Sequence, residues 1–291
     1  MSADAALAAQ FEADHRHLRG VAYRLTGSWP DAEDALQRAW LAASQADLDH
    51  VGNLTGWLTT VTARECLSIL RSRRRRREVP LPDEAAIESA GPVPAADEAA
   101  ILAEEVGLAL LVVLDRLSPA QRVAFVLHDL FRVPFEDIAQ VLGRSPAAAK
   151  KLASRARERV HGDPPPARPL TAENTRLAEA FLAAARGGDI GALLGLLAPD
   201  VVRRVEPGLV PATVPAEVLG ARAVAEETRL FAARARAGAV ALIDGAPGIV
   251  IAPRGRLQII LRLTIRVGRI CEIDIRGGAE SLAEANIGLP G

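Results

Sequence analysis

Apolar residues recur at helical spacing through the first quarter of the chain. The first helix is predicted from one apolar face made by Leu18, Val21, Ala22 and Leu25. The segment Gly27-Ser28-Trp29-Pro30 breaks this pattern, and Asp31 is placed to cap a second helix from Ala32 to Ala46. A third helix is predicted to start near Thr55 and to run into an arginine-rich segment. The pattern therefore predicts a compact all-helical unit.

A second helical unit is predicted to begin near Asp97. Two helix starts, Ser118-Pro119 and Ser145-Pro146, each place a capping serine before a proline that suits the first helical position. Between them, the segment Pro134 to Gly143 is a short amphipathic helix that ends in glycine. Two helices joined by the tight turn 143–145 form a helix-turn-helix pattern.

The second helix of this pattern divides its residues between two faces. Small and apolar residues supply a packing face, and the basic residues are Lys150, Lys151, Arg155, Arg157 and Arg159. A recognition helix that enters the major groove of DNA needs this division of faces.

The pattern changes again after the proline-rich segment 163–170, which marks a domain boundary. Helical patterns at 171–186 and 190–197 lead to a strand at 201–205 and to a further helix at 221–236. Several β-rich runs, separated by turns rich in glycine, proline and arginine, then follow at 240–243, 249–252, 257–267 and 270–275. Helices followed by an antiparallel sheet predict an α+β domain.

Charge is distributed unevenly along a chain whose net charge is only -1. The segment 71–77 holds six arginines in seven residues, whereas 78–115 contains acidic residues and no lysine or arginine. An arginine run of this kind is either a solvated helix end or a phosphate-binding surface. The adjoining segment 79–96 is predicted to be a flexible acidic linker.

Composition excludes several classes of protein. The charged, amphipathic N-terminus is not a secretory signal, and no apolar run is long enough to span a bilayer, so we expect a cytoplasmic protein. Cys66 and Cys271 are expected to be buried free thiols, and the five histidines form no cluster that would suggest zinc. We therefore expect neither a metal nor a cofactor.

Two stretches of the chain resemble extracytoplasmic-function (ECF) sigma factors of the sigma-70 family. Tyr23-Arg24-Leu25-Thr26-Gly27-Ser28, the segment DAEDALQ from Asp31, and Trp57-Leu58-Thr59-Thr60-Val61 with the arginine run resemble region 2. The segment 117–129 with the helix-turn-helix after it resembles region 4. The segments 180–189 and 197–201 resemble the opening of SnoaL-like domains of the nuclear-transport-factor-two superfamily, and a subgroup of sigma factors carries such a tail.

The resemblance implies five segments. They are sigma region 2 at 1–78, the acidic linker at 79–96, sigma region 4 at 97–162, the proline-rich linker at 163–170 and a SnoaL-like cone at 171–291. The implied fold is two all-α domains followed by an α+β domain.

The resemblance also implies binding partners for named residues. Core RNA polymerase would be bound by Asp31, Glu33, Asp34, Gln37 and Arg38. The minus-ten promoter element would be held by Arg64, Arg71, Arg73, Arg74 and Arg75. The minus-thirty-five element would be contacted by Arg144, Ser145, Ala147, Ala148, Lys150, Lys151 and Arg155. Replacing Arg73 to Arg76 with alanine is then expected to weaken promoter binding and to leave polymerase binding largely intact.

The resemblance implies a sigma factor that directs promoter-specific transcription initiation and is not itself an enzyme. Its C-terminal domain would regulate the sigma core by intramolecular contact. The alternative is a DNA-binding regulator whose SnoaL-like domain senses or turns over a small apolar ligand. Turnover would use a carboxylate base, with Asp200, Glu206, Asp244, Glu272 and Asp274 as candidates, although turn and cap roles suffice for Asp200 and Asp244.

Overall fold

The computed structural model describes residues 3–48, 50–78, 107–161, 171–209 and 214–290. The chain divides into two compact units, one of residues 1–106 with 114–157 and the other of residues 107–113 with 158–291. Both predicted linkers, 79–96 and 163–170, and the predicted helix start at Asp97 lie outside the described residues.

The first unit begins with three helices that pack on one another. They are α1 (Ala3–Thr26), α2 (Trp29–Ala43) and α3 (Leu54–Glu78). The predicted apolar face of α1 is confirmed, because Leu18, Val21, Ala22 and Leu25 are fully buried. Asp31 was expected to cap α2, and this was wrong. The N-cap position belongs to Ser28, and Pro30 occupies the first turn, where its fixed φ suits a helix start.

The helix-turn-helix is also confirmed. The chain forms α4 (Leu108–Asp115), α5 (Pro119–Phe125), a π-helical turn (Val126–Leu130), α6 (Phe135–Leu142) and α7 (Pro146–His161). Ser118 and Gln121 form a reciprocal capping box at the start of α5. Gly143 ends α6 with φ of 65°, a left-handed conformation that glycine adopts without strain.

The two helical groups of the first unit are joined through Arg122. This residue is 3% exposed. Its guanidinium donates to the carbonyl oxygens of Leu114 (2.7 Å) and Leu25 (3.1 Å) and to Asp115 (3.0 Å). Nearby, the Phe131 ring meets His17 edge to face, with 5.4 Å between ring centroids. Helix α5 and the end of the π-helical turn therefore pack directly against α1.

The second unit is an α+β domain, as predicted. It comprises α8 (Thr171–Gly187), α9 (Ile190–Leu196), β1 (Leu197–Val205), β2 (Glu217–Leu219), α10 (Ala221–Leu230), α11 (Ala232–Ala235), β3 (Gly238–Ile243), β4 (Ala246–Ile251), β5 (Ile259–Arg266), β6 (Arg269–Arg276), α12 (Ala279–Glu284) and β7 (Ile287–Gly288). A single-turn 3-10 helix, Pro253–Gly255, lies between β4 and β5.

One seven-stranded sheet organises this unit, in the order β2-β1-β6-β5-β4-β3-β7. Only the β1–β6 pair is parallel among the described strand pairs. Helices α8, α10 and α11 cover the inner face of the sheet and enclose a cavity, which is the cone expected of a SnoaL-like domain.

Three details of this unit differ from the sequence-based expectations. Asp200 lies inside β1, at an irregular stretch of its pairing with β6, and not at a helix-to-strand corner. The helix predicted at 221–236 is interrupted at Phe231. Cys271 is only half-buried, because it is the unpaired residue of a bulge in β6 opposite Thr264 and Ile265. Cys66 is buried as expected, and burial raises the pKa of its thiol.

Candidate polymerase and nucleic-acid interfaces

Helix α3 presents a basic surface along one face. Arg64, Ser68, Arg71 and Arg75 follow one another at intervals of four, three and four residues, so their side chains lie in one row. Together with Leu67, Arg74 and Val141 of α6 they line a groove, which we call the basic groove. Its four arginines are exposed. The groove therefore offers four exposed guanidinium groups to a polyanion.

Arg73 belongs to a different site. Its guanidinium pairs with the Asp31 carboxylate and donates to the Thr26 carbonyl oxygen at 3.0 Å. Both charged side chains are largely buried, at 28% and 26% exposed. The structure thus brings a predicted DNA contact and a predicted polymerase contact together as a pair between α3 and α2.

The remaining predicted polymerase contacts lie on the outer face of α2. Glu33 pairs with Arg19 of α1 at 3.0 Å, and Asp34 pairs with Arg38 one turn along the helix at 2.8 Å. Gln37 and Arg38 are exposed. Helix α1 holds Glu33 in place, whereas Asp34, Gln37 and Arg38 form a polar patch at the surface.

Helix α7 separates its faces as predicted. Ala149, Ala153, Ala156 and Val160 are fully buried, and Arg144, Ser145, Ala147, Lys150, Lys151 and Arg155 are exposed. Ala148 is half-buried between the two faces. The Ser145 hydroxyl also accepts a hydrogen bond from the Ala148 amide at 3.3 Å, so it serves as the helix cap.

Helix α7 also differs from the rest of the chain in its type of basic residue. Lys150 and Lys151 are the only lysines in the chain, and arginine supplies every other lysine or arginine position. Both lysine side chains lie on the exposed face. A simple count of residue types would have found this signal.

Most candidate carboxylates of the second unit have structural partners. Glu206 accepts from the Gly277 and Gly278 amides and from the Ser281 hydroxyl, and the two amides lower its pKa. Asp244 accepts from Arg262 and from the Asn286 amide. Glu272 pairs with Arg204, and Asp274 with Arg276. Asp200 is exposed on β1.

Sequence reasoning missed the buried pair Arg203–Glu227, in which the guanidinium forms two hydrogen bonds with the carboxylate. Glu227 lies three residues after the buried Val224 in α10, so helical spacing places it on the inner face. That spacing in the sequence could have indicated the pair.

Within the described residues, no group of His, Cys, Asp or Glu could hold a metal ion. No helix in the described ranges is long and apolar enough to cross a membrane.

Two family models match the helical regions that carry these candidate interfaces. The family model for sigma-70 region 2 matches residues 10–76, and that for sigma-70 region 4 matches residues 107–160. The ECF RNA polymerase sigma factor SigJ of Mycobacterium tuberculosis is 43% identical over 205 residues, which are 66% of this chain and 62% of that protein. This chain thus spans less than two thirds of SigJ in the alignment. The probable ECF sigma factor SigI of the same organism is 31% identical over 277 residues, 94% of each chain.

Solved structures are similar as well. The crystal structure of M. tuberculosis SigJ is 32% identical and covers 95% of this chain and 98% of its own, with a TM-score of 0.46. An NTF2-like protein from Burkholderia xenovorans is 18% identical and covers 40% of this chain and 97% of its own, with a TM-score of 0.26. The two sigma-70 region matches and the nearly full-length similarity to SigI identify this chain as a member of the ECF family of RNA polymerase sigma factors.

Proposed function

We propose a division of labour for transcription initiation by this sigma factor. The outer face of α2 binds core RNA polymerase through Asp34, Gln37 and Arg38, with Asp31 and Glu33 behind them. The basic groove, with Arg64, Arg71, Arg74 and Arg75, holds the minus-ten element. The exposed face of α7 contacts the minus-thirty-five element. The protein works in the cytoplasm, without a cofactor and without turning over a substrate.

The observation that carries this proposal is the arrangement of α7. Exposed basic side chains occupy the helix start and one face, and the opposite face is buried alanine and valine. Residues near the start of a recognition helix reach base edges, and later basic residues hold phosphates. Ala147, Lys150 and Lys151 therefore face the bases, and Arg155 faces the backbone.

The paired lysines allow a direct test. A complex of the full chain with core polymerase is treated with an amine-specific acetylating reagent, with and without promoter DNA. Mass spectrometry then measures modification of Lys150 and Lys151 against that of the chain's own N-terminal amine. We expect DNA to protect both lysines several-fold and to leave the N-terminal amine unprotected. Equal modification with and without promoter DNA, in a complex that initiates transcription, would rule out α7 as the DNA-binding helix.

Promoter binding also requires the first unit to open. The two promoter elements are centred about 25 base pairs apart, which is on the order of 80 Å of DNA at roughly 3.4 Å per base pair. Helix α1 has 24 residues and is about 36 Å long. With Arg122 bonded to Leu25, Val141 of α6 lines the basic groove and α7 begins only five residues later. At no more than about 3.6 Å per residue, the start of α7 lies within roughly 18 Å of the groove, too close for the two surfaces to reach both elements. The Arg122–Leu25 contact is therefore lost when both elements are bound.

The C-terminal unit regulates the sigma core by intramolecular contact in this proposal. Its separate hydrophobic core, built around Phe181, Leu193, Ile249 and Ile273, supports an independently organised regulatory domain. The structural partners of Glu206, Asp244, Glu272 and Asp274 speak against their use as catalytic bases. A regulatory role is therefore better supported than turnover by these carboxylates.

A further inference from the structure

The second unit contains a cavity of about 110 Å³. Helices α8, α10 and α11 form one side and the sheet forms the other. Its walls are almost entirely apolar and include Phe181, Leu182, Phe231, Ile249, Ile259 and Ile273. Each water-sized group needs on the order of 10–15 Å³ of cavity volume. This one therefore admits a molecule of roughly ten non-hydrogen atoms.

One ion pair interrupts the apolar wall. The side chains of Arg203 and Glu227 are only 5% and 15% exposed, and both line the cavity. The Arg203 guanidinium donates to both Glu227 oxygens and, through Nη1, to the carbonyl oxygens of Pro215 (3.0 Å) and Ala216 (3.3 Å). The donors of Arg203 are thus largely committed, and the pair has no net charge.

The polar groups at this wall that can still form hydrogen bonds are acceptors. Each oxygen of an ionised carboxylate has two lone pairs, and Arg203 uses one on each Glu227 oxygen. The neighbouring Thr228 hydroxyl donates to the Val224 carbonyl oxygen at 2.7 Å, so its own oxygen is also left as an acceptor. A ligand that is a hydrogen-bond donor satisfies this wall.

The charge of the ligand follows from the same pair. A charged molecule would bring an unbalanced charge against apolar walls, which is strongly unfavourable because those walls cannot solvate it. We propose that this cavity binds a neutral, largely apolar molecule of roughly ten non-hydrogen atoms that donates a hydrogen bond to Glu227, as phenols and aryl alcohols do. This site is additional to the polymerase and promoter interfaces.

An opposing feature is Arg234 at the cavity wall. Its side chain is exposed, and its guanidinium carbon lies 5.5 Å from the centre of the Phe231 ring. A carboxylate ligand would be drawn to this cation instead of to Glu227. The choice of probes separates the two cases.

The test uses the full chain and three probes that share one naphthalene ring. 2-Naphthol has a donor, 2-methylnaphthalene lacks it at the same number of non-hydrogen atoms, and 2-naphthoate carries a negative charge. Calorimetric titration is expected to show saturable binding of 2-naphthol to one site and at least tenfold weaker binding of the other two. Absence of saturable 2-naphthol binding overturns the proposal, as does equal or tighter binding of 2-naphthoate or of 2-methylnaphthalene.

Two matched variants locate the site. Ala185 is 4% exposed and lines the cavity, whereas Ala183 is exposed on the same helix. Ala185→Leu is expected to weaken 2-naphthol binding at least tenfold, and Ala183→Leu to leave it unchanged. Leu261→Phe fills the cavity from the sheet side and serves in place of Ala185→Leu if that variant does not fold. Unchanged binding in a folded cavity-filling variant places the ligand elsewhere and refutes the assignment.

Discussion

Arg73 pairs with Asp31, whereas its neighbours Arg74 and Arg75 line the basic groove. Alanine at Arg73 would therefore leave a largely buried Asp31 carboxylate without its guanidinium partner, and it would also disturb α2, the helix that we propose binds polymerase. A variant meant to separate DNA binding from polymerase binding has to spare Arg73. The sequence-based choice of Arg73 to Arg76 mixed these two roles.

The double variant Arg74→Ala/Arg75→Ala is expected to weaken promoter binding and to leave polymerase binding intact. Each lost phosphate contact reduces the slope of log affinity against log salt by about 0.9, so the double variant should lose up to about 1.8. Fluorescence anisotropy with labelled promoter DNA and holoenzyme, at several salt concentrations, measures both quantities.

The matched control is Arg222→Ala/Arg236→Ala, which removes two exposed arginines from the second unit. This control should keep the wild-type slope. An unchanged slope in Arg74→Ala/Arg75→Ala would mean that the basic groove does not hold phosphates, and parallel loss of polymerase binding would make the arginines structural.

At the scale of elements, Arg122 joins α5 to α1 and α4. Replacing it with alanine leaves the carbonyl oxygens of Leu25 and Leu114 without this donor in a buried setting. The Leu114 carbonyl keeps the hydrogen bond from the Leu117 amide, so the Leu25 carbonyl is the acceptor that loses most. The expected loss in free energy of unfolding is about 1–3 kcal/mol, the cost of one buried acceptor that loses its donor. Arg122→Lys should rescue little of this loss, since one ammonium group cannot reproduce the fork of a guanidinium.

Urea unfolding of both variants measures this loss, with Lys150→Ala as an exposed control that should change stability by less than about 0.5 kcal/mol. A comparably small change in Arg122→Ala would show that the contact between the two helical groups does not stabilise the first unit.

Local signals in the sequence were sufficient for the elements that they specify. The serine–proline starts of α5 and α7, the glycine end of α6 and the β-rich composition of the later strands each depend on residues a few positions apart. The pairs Arg73–Asp31, Arg122–Leu25 and Arg203–Glu227 join residues 24 to 97 positions apart. Such pairs follow from tertiary packing, which periodicity does not report.

The candidate interfaces were predictable to a similar degree. Exposure of Lys150, Lys151 and Arg155 follows from helical periodicity in α7. The short strands β2 and β7 were missed, because three and two residues are too few to show alternation. The cavity of the second unit depends on how α8 and α10 cover the sheet, so no single segment indicates it.

At the scale of the whole molecule, the bounds of the two compact units differ from the predicted domain bounds. Gly107–Val113 belongs with the C-terminal unit, although these residues fall inside the region 4 match. A chain that ends near residue 162 would separate this apolar segment from most of the unit to which it belongs. Regulation by the C-terminal unit is therefore better tested by substitutions in the full chain than by truncation.

The most direct test of the central claim is to map transcription start sites in vitro. Core RNA polymerase is incubated with genomic DNA fragments, alone or with the full chain, and the 5′ ends of the RNA products are sequenced. We predict discrete new start sites that share two upstream sequence elements, and we predict that Lys150→Ala/Lys151→Ala reduces them strongly. The same 5′ ends with and without the protein would contradict its assignment as a promoter-directing sigma factor.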